Sequence, residues 1–228
     1  MLAYRAGMSL FALVLPQRCA VCRRPGAGAC PRCLDALVRI VPPQCERCGA
    51  PGPWPLRRCA ECAGRRLAFA RARAAVVYEE RARAFVAAWK ERGRRDLAAV
   101  AAQVIVEALP PPAVDVLCPV PGDRDRGLER GHAPAERLAV ELAQRWRLPV
   151  ERLLARRPGV ERQRDLPRAE RRRNVARAFA PCVQAAPRRV CLVDDVYTTG
   201  STATACATEL RRVGARRIEV VCLARALR

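Results

Sequence analysis

Two sets of residues in this 228-residue chain have the types and spacing to do chemistry. The first is four Cys-x-x-Cys pairs: Cys19/Cys22, Cys30/Cys33, Cys45/Cys48 and Cys59/Cys62. Each pair brings two sulfurs to one ion through a tight turn, so eight thiolates suit two tetrahedral zinc sites. The simplest grouping is Cys19, Cys22, Cys30 and Cys33, then Cys45, Cys48, Cys59 and Cys62; an interleaved grouping has the same spacing. A closed Cys₄ site is structural, because it leaves no position open for water. Disulfides and iron–sulfur clusters fit less well: no secretory leader is visible, and the paired spacing is ribbon-like.

The second set is the run Asp194-Asp195-Val196-Tyr197-Thr198-Thr199-Gly200-Ser201-Thr202. A turn entering a helix offers unpaired backbone N–H groups, and the helix dipole favours an anion there. Gly200 lets the backbone approach that anion, and Thr198, Thr199, Ser201 and Thr202 add hydroxyl donors. Asp194 and Asp195 suit sugar hydroxyls or Mg²⁺ rather than a phosphate. A phosphate cradle beside a diol or metal site fits a phosphorylated sugar.

The elements that must position these groups follow from the pattern of apolar residues. Val190 to Val193 is a short apolar run, consistent with a strand buried on both faces, with the two acids at its end and an alanine-rich helix over 203–213 beyond the turn. In open α/β sheets ligands bind outside the carboxyl ends of strands. A second such end is Val114 to Cys118, followed by Pro119-Val120-Pro121-Gly122, which is expected to expose N–H groups of Val120 and Gly122. Arg124, Arg126, Arg130 and Gly131 come next, before a helix over 132–146. This loop is placed to face the first cradle, with Val120, Pro121, Gly122 and Arg124 around a pyrophosphate.

Further strands are expected over 72–78, 148–154 and 216–224. An apolar helix is expected over 1–18, and two more helices carry Phe85 with Trp89 and the stripe Leu97, Val100, Ala101, Val104, Ile105 and Ala108. The charged stretch 156–174 reads as a mobile loop able to close over an anion. Lys90 can be read as a solvated lysine or as a charge serving a site. His132, the only histidine, has no partner nucleophile in the sequence and receives no role.

Composition bounds the class. Hydrophobic residues make up 51% of the chain, which excludes a mostly disordered protein. No apolar run reaches the length of a membrane span, and residues 8–16 lack the cleavage site of a signal peptide, so a cytoplasmic protein without membrane insertion is expected. The formal charge of +21 is almost all arginine, since Lys90 is the single lysine. Two Zn(Cys)₄ units at −2 each would lower it to about +17. Such a charge favours polyanions, and both nucleic acid and a pyrophosphorylated sugar reward arginine.

The acidic pair and Thr-Thr-Gly loop resemble the phosphoribosyl pyrophosphate (PRPP) motif of type I phosphoribosyltransferases. The whole order of parts resembles the ComF family of competence proteins: cysteine pairs, Trp89-Lys90-Glu91-Arg92-Gly93, Pro119-Val120-Pro121, Arg130-Gly131, Gln163 with Arg173-Asn174-Val175, then the Asp-Asp run. Members often carry Arg-Gly-Phe-Asn-Gln where this chain has Arg130-Gly131-His132-Ala133-Pro134, so the Asn and Gln side chains are absent here.

The resemblance implies a double zinc ribbon over 1–66 and a type I phosphoribosyltransferase-like domain over 67–228, an α/β fold with a mostly parallel sheet flanked by helices. It implies Asp194 and Asp195 at the ribose hydroxyls and Mg²⁺, Thr198 to Thr202 at the 5′-phosphate, and Val120 to Gly122 at pyrophosphate. It further implies PRPP with Mg²⁺ as ligand, single-stranded DNA and DNA-uptake proteins such as a competence helicase as partners, and a role in natural transformation. An active phosphoribosyltransferase of nucleotide metabolism and a zinc-ribbon adaptor with a vestigial site are the alternatives. The intact Asp-Asp and Thr-Thr-Gly argue against the latter.

Overall fold

In the computed structural model of the chain, the described residues are 18–26, 28–122, 133–157, 175 and 177–227. The expected apolar helix over 1–18, Arg124 to His132 and most of the charged loop 156–174 lie outside them. The chain runs α1 (Pro31–Asp35), β1 (Arg71–Val77), α2 (Glu80–Lys90), α3 (Leu97–Ala108), β2 (Val116–Pro119), α4 (Pro134–Trp146), β3 (Leu154–Arg156), β4 (Phe179–Pro181), β5 (Arg189–Tyr197), α5 (Ser201–Arg212) and β6 (Arg217–Arg225). Strands β1, β6, β5 and β2 form one parallel sheet in that order, and β3 pairs antiparallel with β4 in a separate ribbon. Among the described residues, no helix is long and apolar enough to cross a membrane.

The two central strands are the most apolar, as burial on both faces requires. Val190 to Val193 of β5 are fully buried, and every residue of β6 after Arg217 is buried. Parallel neighbours need crossovers, and the helices between them cover the faces. On one face lie Phe85 and Trp89 of α2, Leu97 and Ile105 of α3, and Leu138 and Leu142 of α4. Each such side chain, fully buried, contributes about 1.5–3 kcal/mol. The other face is covered by α5, the β3–β4 ribbon and the second cysteine cluster, whose Cys45, Cys48 and Cys62 share a core with Phe69, Leu192 and Cys206.

The cysteine-bearing stretch straddles one edge of the sheet. Ala20 and Leu37 beside the first cluster pack on the α2–α3 face, and the second cluster packs on the opposite face. Between them, residues 38–40 lie antiparallel along β1: Ile40 N–H donates to Ala75 O at 2.9 Å, and Val77 N–H to Val38 O at 2.8 Å. The far edge is covered at β2, where Leu117 N–H donates to Pro149 O and Glu151 N–H to Leu117 O, both at 2.9 Å. Such pairing blunts both edges of the sheet.

The strand expected over 148–154 is thus reduced to a bridge at Val150, and Leu154 instead starts the short β3. The carboxylates also differ from expectation. Asp194 and Asp195 lie within β5, which continues through both to Tyr197.

Candidate functional site

Beyond the carboxyl ends of β2 and β5 the structure forms a cleft of about 390 Å³. From β5 and its turn it is lined by Asp194, Asp195, Val196, Thr198 and Thr202, and from the loop after β2 by Val120, Pro121 and Gly122. The remaining walls are Lys90 and Glu91 at the end of α2, the start of α4, and Arg156 with Phe179 from the ribbon. Two loops far apart in sequence therefore meet at one crevice. Thr199, Gly200 and Ser201 complete the turn beside it.

Neighbouring strand residues point to opposite faces. Asp195 is turned toward the α2 face, where its Oδ2 pairs with Lys90 Nζ. Asp194 is turned toward α5, and its charge helps hold the buried thiols of Cys206 and Cys222 protonated, after burial itself. Each acid also accepts a backbone bond: Asp194 Oδ1 from Asp195 N–H at 2.9 Å, and Asp195 Oδ1 from Val196 N–H at 2.6 Å. These bonds fix both carboxyl groups at the mouth of the cleft. Two hard oxygen ligands beside a cradle for phosphate are a suitable donor set for Mg²⁺ carried by a phosphorylated ligand.

The turn after β5 is built around Gly200. Its φ of 71° is left-handed, and an added Cβ would lie 2.7 Å from Tyr197 Cζ. No side chain caps α5, and the first intrahelical bond is Thr204 N–H to Gly200 O at 2.8 Å. The amides ahead of it are those a helix start leaves for an anion. Thr199 Oγ1 and Ser201 Oγ bond each other at 2.7 Å, and Ser201 N–H donates to Thr199 Oγ1 at 3.2 Å.

One expected donor is committed elsewhere. Val120 is 4% exposed, and its N–H donates to Val193 O at 2.9 Å, extending the sheet past β2. Pro121 has no N–H, and the exposed Gly122 lines the cleft.

Lys90 and Phe179 are cleft residues to which the sequence patterns give no settled site role. Arg156, expected in the mobile loop, sits on β3 with its guanidinium 5.7 Å from the Phe179 ring centre. The signals for Lys90 are its place in Trp89-Lys90-Glu91-Arg92-Gly93 and its being the single lysine of an arginine-rich chain.

The cysteines form two clusters, Cys19/Cys22/Cys30/Cys33 and Cys45/Cys48/Cys59/Cys62, with the sulfurs of each within 4.8 Å of one another. This is the sequential grouping. Four thiolates at about 2.3 Å from a tetrahedral ion sit about 3.8 Å apart. The sulfurs of Cys22 and Cys30 are 3.8 Å apart, those of Cys45 and Cys62 3.7 Å, and those of Cys48 and Cys59 3.5 Å. All thirteen cysteines are free thiols. Gly49, with φ of 69°, closes the third knuckle where an added Cβ would meet Ala72 O at 2.6 Å. The two Cys₄ sites fit structural zinc.

The parallel sheet flanked by helices, joined to a small Cys₄ module, defines an α/β protein with a metal-built amino-terminal arm. The double zinc ribbon domain family model matches residues 10–64. Competence protein F of Haemophilus influenzae is 36% identical over 116 residues, covering 49% of this chain and 51% of that protein. The chain therefore spans about half the length of the curated relative it matches. Among solved structures, it is similar to a glutamine PRPP amidotransferase from B. subtilis complexed with ADP and GMP (25% identity, TM-score 0.37, 57% of this chain and 26% of that one). It is also similar to a purine phosphoribosyltransferase from Pyrococcus horikoshii (19% identity, TM-score 0.30, 60% and 73%). The chain is thus similar to a competence protein over 49% of its length and to double zinc ribbons over residues 10–64.

Proposed function

We propose that the cleft binds PRPP, or a closely related phosphorylated sugar, with Mg²⁺. The observation that carries this reading is the convergence of Asp194, Asp195, Thr198, Thr202 and Gly122 on one crevice at the carboxyl ends of parallel strands. On this reading the ribose hydroxyls lie at the two aspartates and the 5′-phosphate on the 198–202 turn. The pyrophosphate lies toward Gly122. Mg²⁺, when bound, would neutralise pyrophosphate charge with Asp194 and Asp195 as its protein-side ligands. Residues 1–66 form the zinc-built arm and residues 67–228 the sugar-phosphate unit.

The protein's role on this reading is that of a cytoplasmic competence factor handling single-stranded DNA during uptake. Its similarity to a competence protein and its net charge of +21 support that assignment. Phosphate contacts by arginine make such binding fall steeply with salt. An affinity for single-stranded DNA that does not change with salt contradicts an arginine-driven mode. The sugar site is tested by titrating Mg·PRPP into the wild-type chain and the Asp194→Asn/Asp195→Asn variant. Binding is expected in the first and lost in the second; equal affinity removes the assignment.

A further inference from the structure

Arg225, at the end of β6, is the one arginine buried among the described residues, at 2% exposure. A guanidinium taken out of water is costly unless it is hydrogen-bonded, and because the buried Nε of Arg225 has no partner among the described residues, its two Nη groups supply that compensation. Its Nη1 donates to Cys48 O at 2.7 Å, and its Nη2 to Glu61 Oε2 at 2.8 Å and Cys48 Sγ at 3.4 Å. Its Cζ lies 4.7 Å from the centre of the Tyr197 ring. Cys48 belongs to the second metal cluster, and Glu61 sits between two more of its ligands, Cys59 and Cys62.

Tyr197 is the next link. Its phenol occupies the space where a side chain on residue 200 would go, so the ring supports the turn from beneath. Phe69 holds it edge-on from the other side, at 6.2 Å between centres. A continuous path of contacts thus runs from a sulfur of the second cluster, through one guanidinium and one ring, to the glycine of the phosphate turn. Among the described residues the first cluster shows no such path to Tyr197; its neighbours Ala20 and Leu37 pack on the opposite face of the sheet with α2 and α3.

We propose that Arg225 couples the second Cys₄ site to the Thr198–Thr202 turn, so that the turn holds its anion-ready shape only while that site is metal-loaded. What the turn binds rests on the sugar-phosphate reading; the coupling does not. Arg225 is a positioning residue that reaches the ligand only through Tyr197. Coupling of this kind is reciprocal: a phosphate on the turn tightens metal binding at the second site.

The test is amide hydrogen exchange on the full chain, with zinc content measured in every sample. Exchange across 197–203 is expected to rise at least fivefold in Cys59→Ser, which strips the second site, and in Arg225→Met with both zinc ions retained. Arg225→Lys should fall between wild type and Arg225→Met, since lysine can meet Glu61 but cannot also bond Cys48 and cover the ring. Cys22→Ser, which strips the first site, should leave the segment within twofold of wild type, as should Arg71→Met, which breaks the Glu219 pair at the other end of β6.

A wild-type exchange rate at 197–203 in zinc-replete Arg225→Met and Arg225→Lys overturns the proposal. So does equal opening by Cys22→Ser and Cys59→Ser. In a second arm, ribose 5-phosphate should raise the zinc affinity of the second site at least threefold in wild type and not in Arg225→Met, read by equilibrium competition with a chelator. If the turn opens in Arg225→Met but calorimetry finds no ribose 5-phosphate bound to wild type, the coupling stands and the sugar-phosphate reading falls.

Discussion

Lys90, the last residue of α2, forms an ion pair with Asp195, a residue of β5 more than a hundred positions later in the chain. Asp195 is nearly buried, while Lys90 is about a third exposed. The pair closes one wall of the cleft and neutralises a carboxylate that would otherwise be desolvated alone. Removing one partner of a buried pair leaves an uncompensated charge. With Lys90 partly in water, Lys90→Gln is expected to lower stability by about 1–2 kcal/mol. The Lys90→Gln/Asp195→Asn double variant should be more stable than the sum of the single changes predicts, as measured by denaturant unfolding. Strict additivity would show that the pair carries no energy.

The thirteen cysteines separate into three reactivity groups. Cys182 is exposed, eight are metal ligands, and Cys118, Cys191, Cys206 and Cys222 are buried. Burial pushes the Cys118 thiol up to about 12 and raises the other three as well, leaving little reactive thiolate. Alkylation of the zinc-loaded protein is therefore expected to label Cys182 first. Chelation exposes the eight ligands, and the last four react only on unfolding. Mass spectrometry of the labelled protein checks this order; labelling of Cys206 before chelation contradicts it.

Tyr197 sets a limit at alkaline pH. Burial raises its phenol to about 12, against the opposing pull of Arg225. A raised folded-state value means that the neutral form is favoured in the native protein. Its contribution to stability is whole below about pH 10, the value of a free phenol, and is lost as pH rises toward 12. Phenolate absorbance compared between wild type and Tyr197→Phe should show one late-titrating group, and the variant should lose less stability over that window. A Tyr197 that titrates near pH 10 would place it in water, away from Arg225.

Much of this arrangement was legible in the residues, for physical reasons that differ from part to part. The cysteine ligands declare themselves because short Pro/Gly-rich gaps cannot bury a core without metal. The β5–turn–α5 unit declares itself because an apolar run, a left-handed glycine and a helix start occur within a dozen residues. Contacts between distant elements were not legible. Lys90 and Asp195 meet only because α2 packs across the end of β5, and Arg225 reads in sequence as an ordinary terminal arginine. Val120 was expected to offer its N–H to a ligand, but one more rung of the sheet claimed it. Strand β4, three residues long, carries too little periodicity to be seen.

The central claim is that the Gly200 turn receives a phosphate. Gly200→Ala forces a Cβ against the Tyr197 ring from a left-handed backbone and so must displace the turn. The most direct measurement is phosphorus NMR of Mg·PRPP on the wild-type chain and on this variant. The account predicts that wild type perturbs both the 5′-phosphate and pyrophosphate resonances, and that Gly200→Ala weakens binding at least tenfold. A 5′-phosphate resonance unmoved by wild type, or full affinity in Gly200→Ala, would contradict it.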